Sequence, residues 1–284
     1  MIIAVQIIVD STADFSAKEI EKRQITCVPM TVTFGNQQYT DGVDLTKEEF
    51  FVKLINEKEF PKTSQPSPAK FVECFEVAKE NGDDVVAILI SSALSGTVQS
   101  ALLAKDITEH NGVYVVDSNT ATLGIRLLVD RAVRMRDQGK SAKEIAETLE
   151  KLKSRVRIYA GLDTLEYLQK GGRISKAAAS IGRLAGIKPI VTIDENGKVV
   201  VCGKQRGNKH VYRQIVKYVE ADMPDGNYSV YFLYSADKKN CISFIQTLQK
   251  NGLDFGKIKT REIGPTIGSH IGPGAFGIVY IANK

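Results

Sequence analysis

The chain has 284 residues, 43% hydrophobic and 25% charged, with a formal net charge of +5. That length suits two domains or one large one, and the composition is that of a globular protein with a full core, which excludes disordered and fibrous classes. No run approaches the ~18 apolar residues of a membrane span, and Met1–Val9 lacks a basic leader and runs into Asp10, so it reads as a first core strand and not a signal peptide.

The first half alternates strands with helices. Ile2–Val9 reads as a strand and Ile25–Tyr39 as strand-like, followed by helices at Lys47–Glu57 and Ala69–Lys79. Val85–Ile90 is a second core strand, with a helix from Gly96 to Glu109. Val113–Val116 is a third, with helical stretches at Asn119–Gln138 and Ser141–Ser154. This rhythm predicts a parallel sheet.

Near Arg157 the rhythm changes. Gly171-Gly172 mark a turn, after which Ile174, Ala177, Ala178, Ile181, Leu184 and Ala185 fall at helical spacing. The small alanines of this amphipathic helix suit either tight packing on a sheet or the wall of an apolar cavity. Ile190–Ile193 and Val199–Cys202 flank Asp194-Glu-Asn-Gly197, a hairpin signal. Helices at His210–Glu220 and Lys238–Asn251 follow, with strands at Ser229–Tyr234, Ile258–Ile263 and Ile278–Ala282. The expected fold is α/β with two domains: an N-terminal parallel-sheet α/β/α domain over residues 1–158, and a C-terminal α+β domain with a mixed sheet over 159–284.

Gly272-Pro-Gly274-Ala-Phe-Gly277 matches the dinucleotide fingerprint G-x-G-x-x-G, but its context is wrong. The fingerprint follows a strand and opens a helix. Here a strand-like run follows, and only seven residues remain. The glycines and prolines of the whole stretch Gly264–Gly277 read instead as a tight loop before a last core strand. Gly139-Lys140-Ser141 lacks the earlier glycine of a phosphate loop, because position 134 is Arg, and no G-x-S-x-G elbow is present. Four scattered cysteines without C-x-x-C spacing fit reduced thiols in a cytoplasmic protein. Three histidines without H-x-x-x-H argue against zinc. The stretch from Tyr167 to Val219 is basic, interrupted only by Asp194 and Glu195. Such a field attracts anionic ligands, membranes or acidic partners, whereas the lack of interleaved aromatics speaks against nucleic acid.

Ligands of open α/β sheets bind beyond the carboxyl ends of the strands. Those ends are rich in hydroxyls here: Asp10-Ser11-Thr12, Ser91-Ser92-Ala-Leu-Ser95-Gly-Thr97 and Asp117-Ser118, with a further loop Lys62-Thr63-Ser64-Gln65-Pro66-Ser67-Pro68. Taken singly, such residues are ordinary turn and cap formers.

Taken together, four segments carry a resemblance. Thr63-Ser-Gln-Pro-Ser67, Ser91-Ser-Ala-Leu-Ser-Gly-Thr-Val-Gln-Ser-Ala101, Leu165-Glu-Tyr-Leu-Gln-Lys-Gly-Gly-Arg-Ile174 and Ile263-Gly-Pro-Thr-Ile-Gly-Ser-His-Ile-Gly-Pro-Gly-Ala-Phe-Gly277 resemble the DegV family, in the family's order and over nearly the whole chain. The resemblance implies a two-domain α/β protein that binds one long-chain fatty acid. It further implies the fatty-acid-binding subunit of a bacterial fatty acid kinase, whose separate ATP-binding subunit phosphorylates the carboxylate and so feeds phospholipid synthesis. On this implication Thr63 and Ser95 hold the carboxylate, His270 lies near the head group, and Arg173 and Arg206 match basic positions for docking or phosphoryl transfer. Val98 stands where an aromatic residue is common. No catalytic residue, metal or cofactor is implied, and transient membrane contact is compatible. The alternative is an enzyme acting alone on a small carbonyl or acyl substrate, with His270 as base or nucleophile.

Overall fold

The computed structural model describes residues 4–57, 59–175 and 186–283. The chain begins with β1 (Val5–Asp10), a 3-10 turn at Ser11–Ala13, α1 (Ala17–Arg23), β2 (Ile25–Val28), β3 (Thr31–Phe34), β4 (Gln37–Thr40), α2 (Lys47–Asn56) and β5 (Lys62–Ser64). Then come α3 (Pro68–Asn81), β6 (Asp84–Leu89), α4 (Thr97–Thr108), β7 (Val113–Asp117), α5 (Leu123–Asp137) and α6 (Ala142–Leu152). The rest comprises β8 (Val156–Gly161), α7 (Glu166–Lys170), β9 (Ile187–Ile193), β10 (Val199–Arg206), α8 (Asn208–Ala221), β11 (Tyr231–Tyr234), α9 (Lys239–Lys250), β12 (Lys259–Glu262), α10 (Pro265–Ile271) and β13 (Phe276–Ile281).

The expected parallel sheet is present, in the order β2-β1-β6-β7. Its central strands carry buried apolar runs, Ile7–Val9 and Val85–Leu89, because both faces are covered. Phe71 and Phe75 of α3, with Ala101 and Ala104 of α4, cover one face. Leu128 of α5 and Ile145 and Leu149 of α6 cover the other. The second sheet is mixed, ordered β10-β9-β8-β13-β11-β12, antiparallel throughout except between β11 and β12. One of its faces packs on α8 and α9 through Val211, Ile215 and Phe244. Ile158, Ala160, Val191, Leu233 and Val279 on its other face join the core that α5 and α6 share with the parallel sheet. A three-stranded antiparallel sheet, β4-β3-β5, stands beside them.

Local signals explain several boundaries. Ser16 with Glu19, Thr46 with Glu49 and Ser141 with Glu144 form capping boxes that start α1, α2 and α6. Ala142, Ile145, Ala146, Leu149 and Leu152 then give α6 a buried stripe at helical spacing. Four expectations are corrected. Ile25–Tyr39 is three strands in two different sheets, split by turns. The helix expected from Asn119 starts only at Leu123, because Asn119 (φ 49°) and Thr122 (φ 47°) leave the helical region. The Lys62–Ser64 part of the expected loop is strand β5. The expected loop Gly264–Gly277 contains helix α10, which Pro265 starts from its first position. The amphipathic helix expected after Gly172 falls largely on residues 176–185, outside the described residues.

The glycine motif also finds its explanation here. Gly272 caps α10, and Gly277 lies in β13 between β8 and β11. A Cβ on Gly277 would stand 2.4 Å from the Tyr159 carbonyl oxygen and 2.9 Å from the Ala160 Cα. That obstacle is backbone in a central strand and has nowhere to move. Gly277→Ala is therefore expected to lower stability by about 2–3 kcal/mol, read as a shift of the denaturant midpoint at unchanged slope.

Candidate functional site

A cavity of about 400 Å³ lies where the carboxyl ends of the parallel strands face the inner side of the mixed sheet. Met30, Ile90, Leu94 and Ala121 come from loops beyond β2, β6 and β7. Ile158, Ala160, Val191, Ile193, Val199 and Leu233 come from the sheet. Ile263, Ile267 and Ile271 come from α10 and the residues before it. Strand alternation sends Ile158 and Ala160 into this cavity, while Tyr159 between them faces α8 and α9.

The polar lining includes Thr63, Gln65, Ser95, Arg173 and His270, joined by a chain of contacts. Thr63 lies on β5 opposite Val32, and its Oγ1 is 2.9 Å from His270 Nε2. Ser95 closes the turn after β6, where its Oγ is 2.8 Å from Thr97 Oγ1. Gln65 Nε2 donates to the Gly96 carbonyl (3.1 Å) and to Ser100 Oγ (2.9 Å), fastening the Thr63 segment to the first turn of α4. Arg173 donates from Nε to the Leu94 carbonyl (3.1 Å) and from Nη1 to the Gly171 carbonyl (2.5 Å). The His270 ring lies close against Gly171, where a Cβ would come within 2.2 Å of Nδ1. That close approach accounts for a glycine following α7.

Four of the five residues singled out from the sequence thus line one cavity: Thr63, Ser95, Arg173 and His270. Arg206 is not among the lining residues. It ends β10 opposite Ile187, with its side chain exposed.

Burial and the nearby Arg173 guanidinium hold the His270 imidazole down to about 4, so the ring is neutral at pH 7. Burial likewise lowers the pKa of Arg173 from its ordinary value. A histidine depressed from 6.5 contributes stability that is present above pH 6.5 and is lost as pH falls through about 4. The His270 ring resonances are expected to titrate near pH 4, and His270→Gln should remove this share of the acid-side loss.

Three buried carboxylates lie behind the cavity wall, and nothing in the spacing of Asp14 and Asp41 marks them in the sequence. Asp10 accepts from the Thr12 hydroxyl and from the Ile90 amide (2.8 Å). Asp14 accepts from Thr122 Oγ1 (2.6 Å) and from the Gly264 amide (2.7 Å). Asp41 accepts from Ser11 Oγ (2.9 Å) and Thr266 Oγ1 (2.6 Å). Burial pushes Asp10 and Asp41 up to about 6 and raises Asp14 as well. The only sequence trace of this cluster is Asp10, which ends β1 directly ahead of Ser11 and Thr12. Among the described residues, no group of three or more His, Cys, Asp or Glu is arranged to hold a metal ion.

The pattern defined for "Uncharacterised protein, DegV family" matches residues 4–283. The chain belongs to the DegV family. A DegV domain-containing protein of Caldanaerobacter subterraneus is 36% identical over 97% of this chain and 98% of its own length. A DegV family protein of Thermus thermophilus, solved as fatty acid binding, superposes with a TM-score of 0.89 at 34% identity, over 98% of this chain and all of that one. A stearic acid-binding protein of Eubacterium ventriosum superposes with a TM-score of 0.87 at 31% identity, over 97% of each chain. The DegV α/β architecture with its parallel and mixed sheets is therefore common to these proteins, as the sequence leads one to expect.

Proposed function

We propose that this DegV protein binds one long-chain fatty acid in the cavity and presents its carboxylate to a separate ATP-bearing kinase subunit. The observation that carries the reading is an apolar cavity whose polar lining gathers Thr63, Ser95, Arg173 and His270 in linked contacts. The fatty acids bound by the Thermus and Eubacterium relatives support it. Each buried methylene contributes ~0.8 kcal/mol, so a tail of roughly fourteen contributes on the order of 11 kcal/mol before ordering costs are subtracted. The tail sets affinity and the hydroxyls set orientation.

The neutral state of His270 suits this role. Its Nε2–H can donate to Thr63 Oγ1, leaving the Thr63 hydroxyl proton for a ligand carboxylate. Ser95 supplies a second hydroxyl, and Arg173 supplies positive charge. Charge-assisted bonds of this kind are worth ~1.5–3 kcal/mol each. Lys204, Arg206, Lys209, Arg213 and Lys217 are exposed, and among the described residues they make no ion pair, which supports an acidic partner surface.

Native mass spectrometry of the purified protein is expected to show a bound acid of about C14–C18, in line with tail burial as the main source of affinity. Protein that is always empty and takes up no such acid would sink the reading. Turnover of a small substrate without any partner, abolished in His270→Ala, would favour the stand-alone enzyme instead.

A further inference from the structure

We infer that Asp41 is a positioning residue, which sets the contact between Thr63 and His270 by gripping Thr266. The inference rests on Thr63 and His270 forming the head-group site. It adds how two residues 207 positions apart are brought to 2.9 Å.

Both ends of the device lie on rigid elements. Asp41 directly follows β4, and Thr63 is on β5. Thr31 of β3 lies opposite both Thr40 and Ser64, so Asp41 and Thr63 each sit one residue from the same rung of the small sheet. The Asp41 amide donates to the Met30 carbonyl (2.9 Å), which fastens the residue to the backbone beyond β2. On the other side, Thr266 and His270 are four residues apart on α10 and so share a helix face. The helix therefore meets the small sheet at two points one turn apart: Thr266 on Asp41, and His270 on Thr63. Gly264, the cap of α10, is held separately by Asp14, whose other oxygen takes the hydroxyl of the cavity-lining Thr122.

A buried carboxylate is a costly way to hold a helix that apolar packing alone could hold. Asp41 is only 5% exposed, yet the side chains that donate to it are two neutral hydroxyls, Ser11 and Thr266. Apolar packing tolerates sliding, whereas a short hydrogen bond to a carboxylate fixes distance and direction. That property matters at a site where a 2.9 Å contact must be kept across separate elements.

The test uses Thr266→Val, which keeps side-chain shape and removes the hydroxyl, with Asp41→Ala as the reciprocal change and Thr266→Ser as the conservative rescue. Each is made in the wild-type and in the Thr63→Val background. Two quantities are read: the dissociation rate of stearate, and the ring 15N resonances of His270 in ligand-free protein. Thr266→Val is expected to speed stearate release about tenfold, the equivalent of one charge-assisted hydrogen bond, and to shift the His270 ring resonances. Thr266→Ser should restore both, and in the Thr63→Val background the effect on release should fall below about twofold, because the contact is already gone. Equal effects in both backgrounds, or unchanged ring resonances in Thr266→Val, would overturn the inference. If no form binds stearate, the fatty-acid reading fails while the ring resonances still decide whether Thr266 positions His270. Should Asp41→Ala not fold, Thr266→Val carries the test alone.

Discussion

Ala160→Leu is expected to weaken binding of the longest fatty acids by about 2 kcal/mol, roughly thirtyfold, and to shift the co-purified acids toward shorter chains. Ala160 faces the cavity from β8, between the registers of Val191 on β9 and Gly277 on β13. Leucine adds three carbons in space the tail would otherwise fill, displacing about three methylenes at ~0.8 kcal/mol each. Overpacking of the sheet is the competing outcome, and it is distinguishable. Strain lowers the melting temperature and weakens all chain lengths alike, whereas a filled cavity leaves short acids bound. A variant that keeps its chain-length preference and its affinity would remove Ala160 from the tail site. Isothermal titration with a series of acids of increasing length, alongside thermal melts, reads both.

Thr63→Ala combined with Ser95→Ala is expected to cost about 3 kcal/mol of carboxylate affinity, on the order of a hundredfold, with little change in unfolding free energy. The loss falls on the head group, so fatty alcohols, which carry no carboxylate charge, should lose less than the acids. On the proposed kinase reading, transfer of phosphate to the acid should fall further than binding does, because a loosely held carboxylate spends less time where a kinase would reach it. The fold tolerates the change, since Thr63 ends in a contact with His270 and Ser95 in a contact with Thr97, neither a core packing position. Equal losses for acid and alcohol would mean that these hydroxyls do not meet the carboxylate.

Acid pH acts on this site through opposed groups. Asp10 and Asp41, raised to about 6, contribute stability that is complete below their ordinary 3.8 and is lost as pH rises through about 6. His270 runs the other way, and so does Glu19, which contributes above 4.5 and is lost as pH falls through about 2. Glu19 is held low by the wholly buried Arg126, which also donates to the Asp14 carbonyl (2.6 Å) and stacks on Phe15. Between pH 6 and 4 the gains from the aspartates offset the loss from His270, so the pH dependence of single variants is more telling than that of the parent protein.

The parts of this protein that are legible in sequence are those whose signal is local. The VVAILI strand, the helical stretch from Ser141 and the Asn-Gly hairpin each carry their cause within a few residues, and each appears where the pattern indicates. Segments that depend on neighbours read less well. Lys62–Ser64 looks like a Pro-bounded loop, and it becomes a strand because Val32 and Thr31 offer it a ladder. Gly264–Gly272 looks like a loop because glycine and proline dominate it. It becomes a helix because Asp14 and Asp41, some 250 and 225 residues away in the chain, receive the donors at its start.

The site divides in the same way. Sequence alone determined the hydroxyl-rich strand ends, the family motifs, and the exclusion of a nucleotide fingerprint, since each depends on residue identity and short spacing. Tertiary structure alone decided that Thr63 meets His270, that Arg173 joins them while Arg206 stays on the surface, and that three aspartates are buried behind the wall. The reason is physical. Residue identity fixes what a side chain can donate, accept or exclude, but burial and neighbours fix its protonation, its partner and its distance. The glycines ahead of the last strand show both sides. Their motif is written in the sequence, and their purpose, room for the Tyr167 ring at Gly272 and for the β8 backbone at Gly277, is visible only when distant segments close around them.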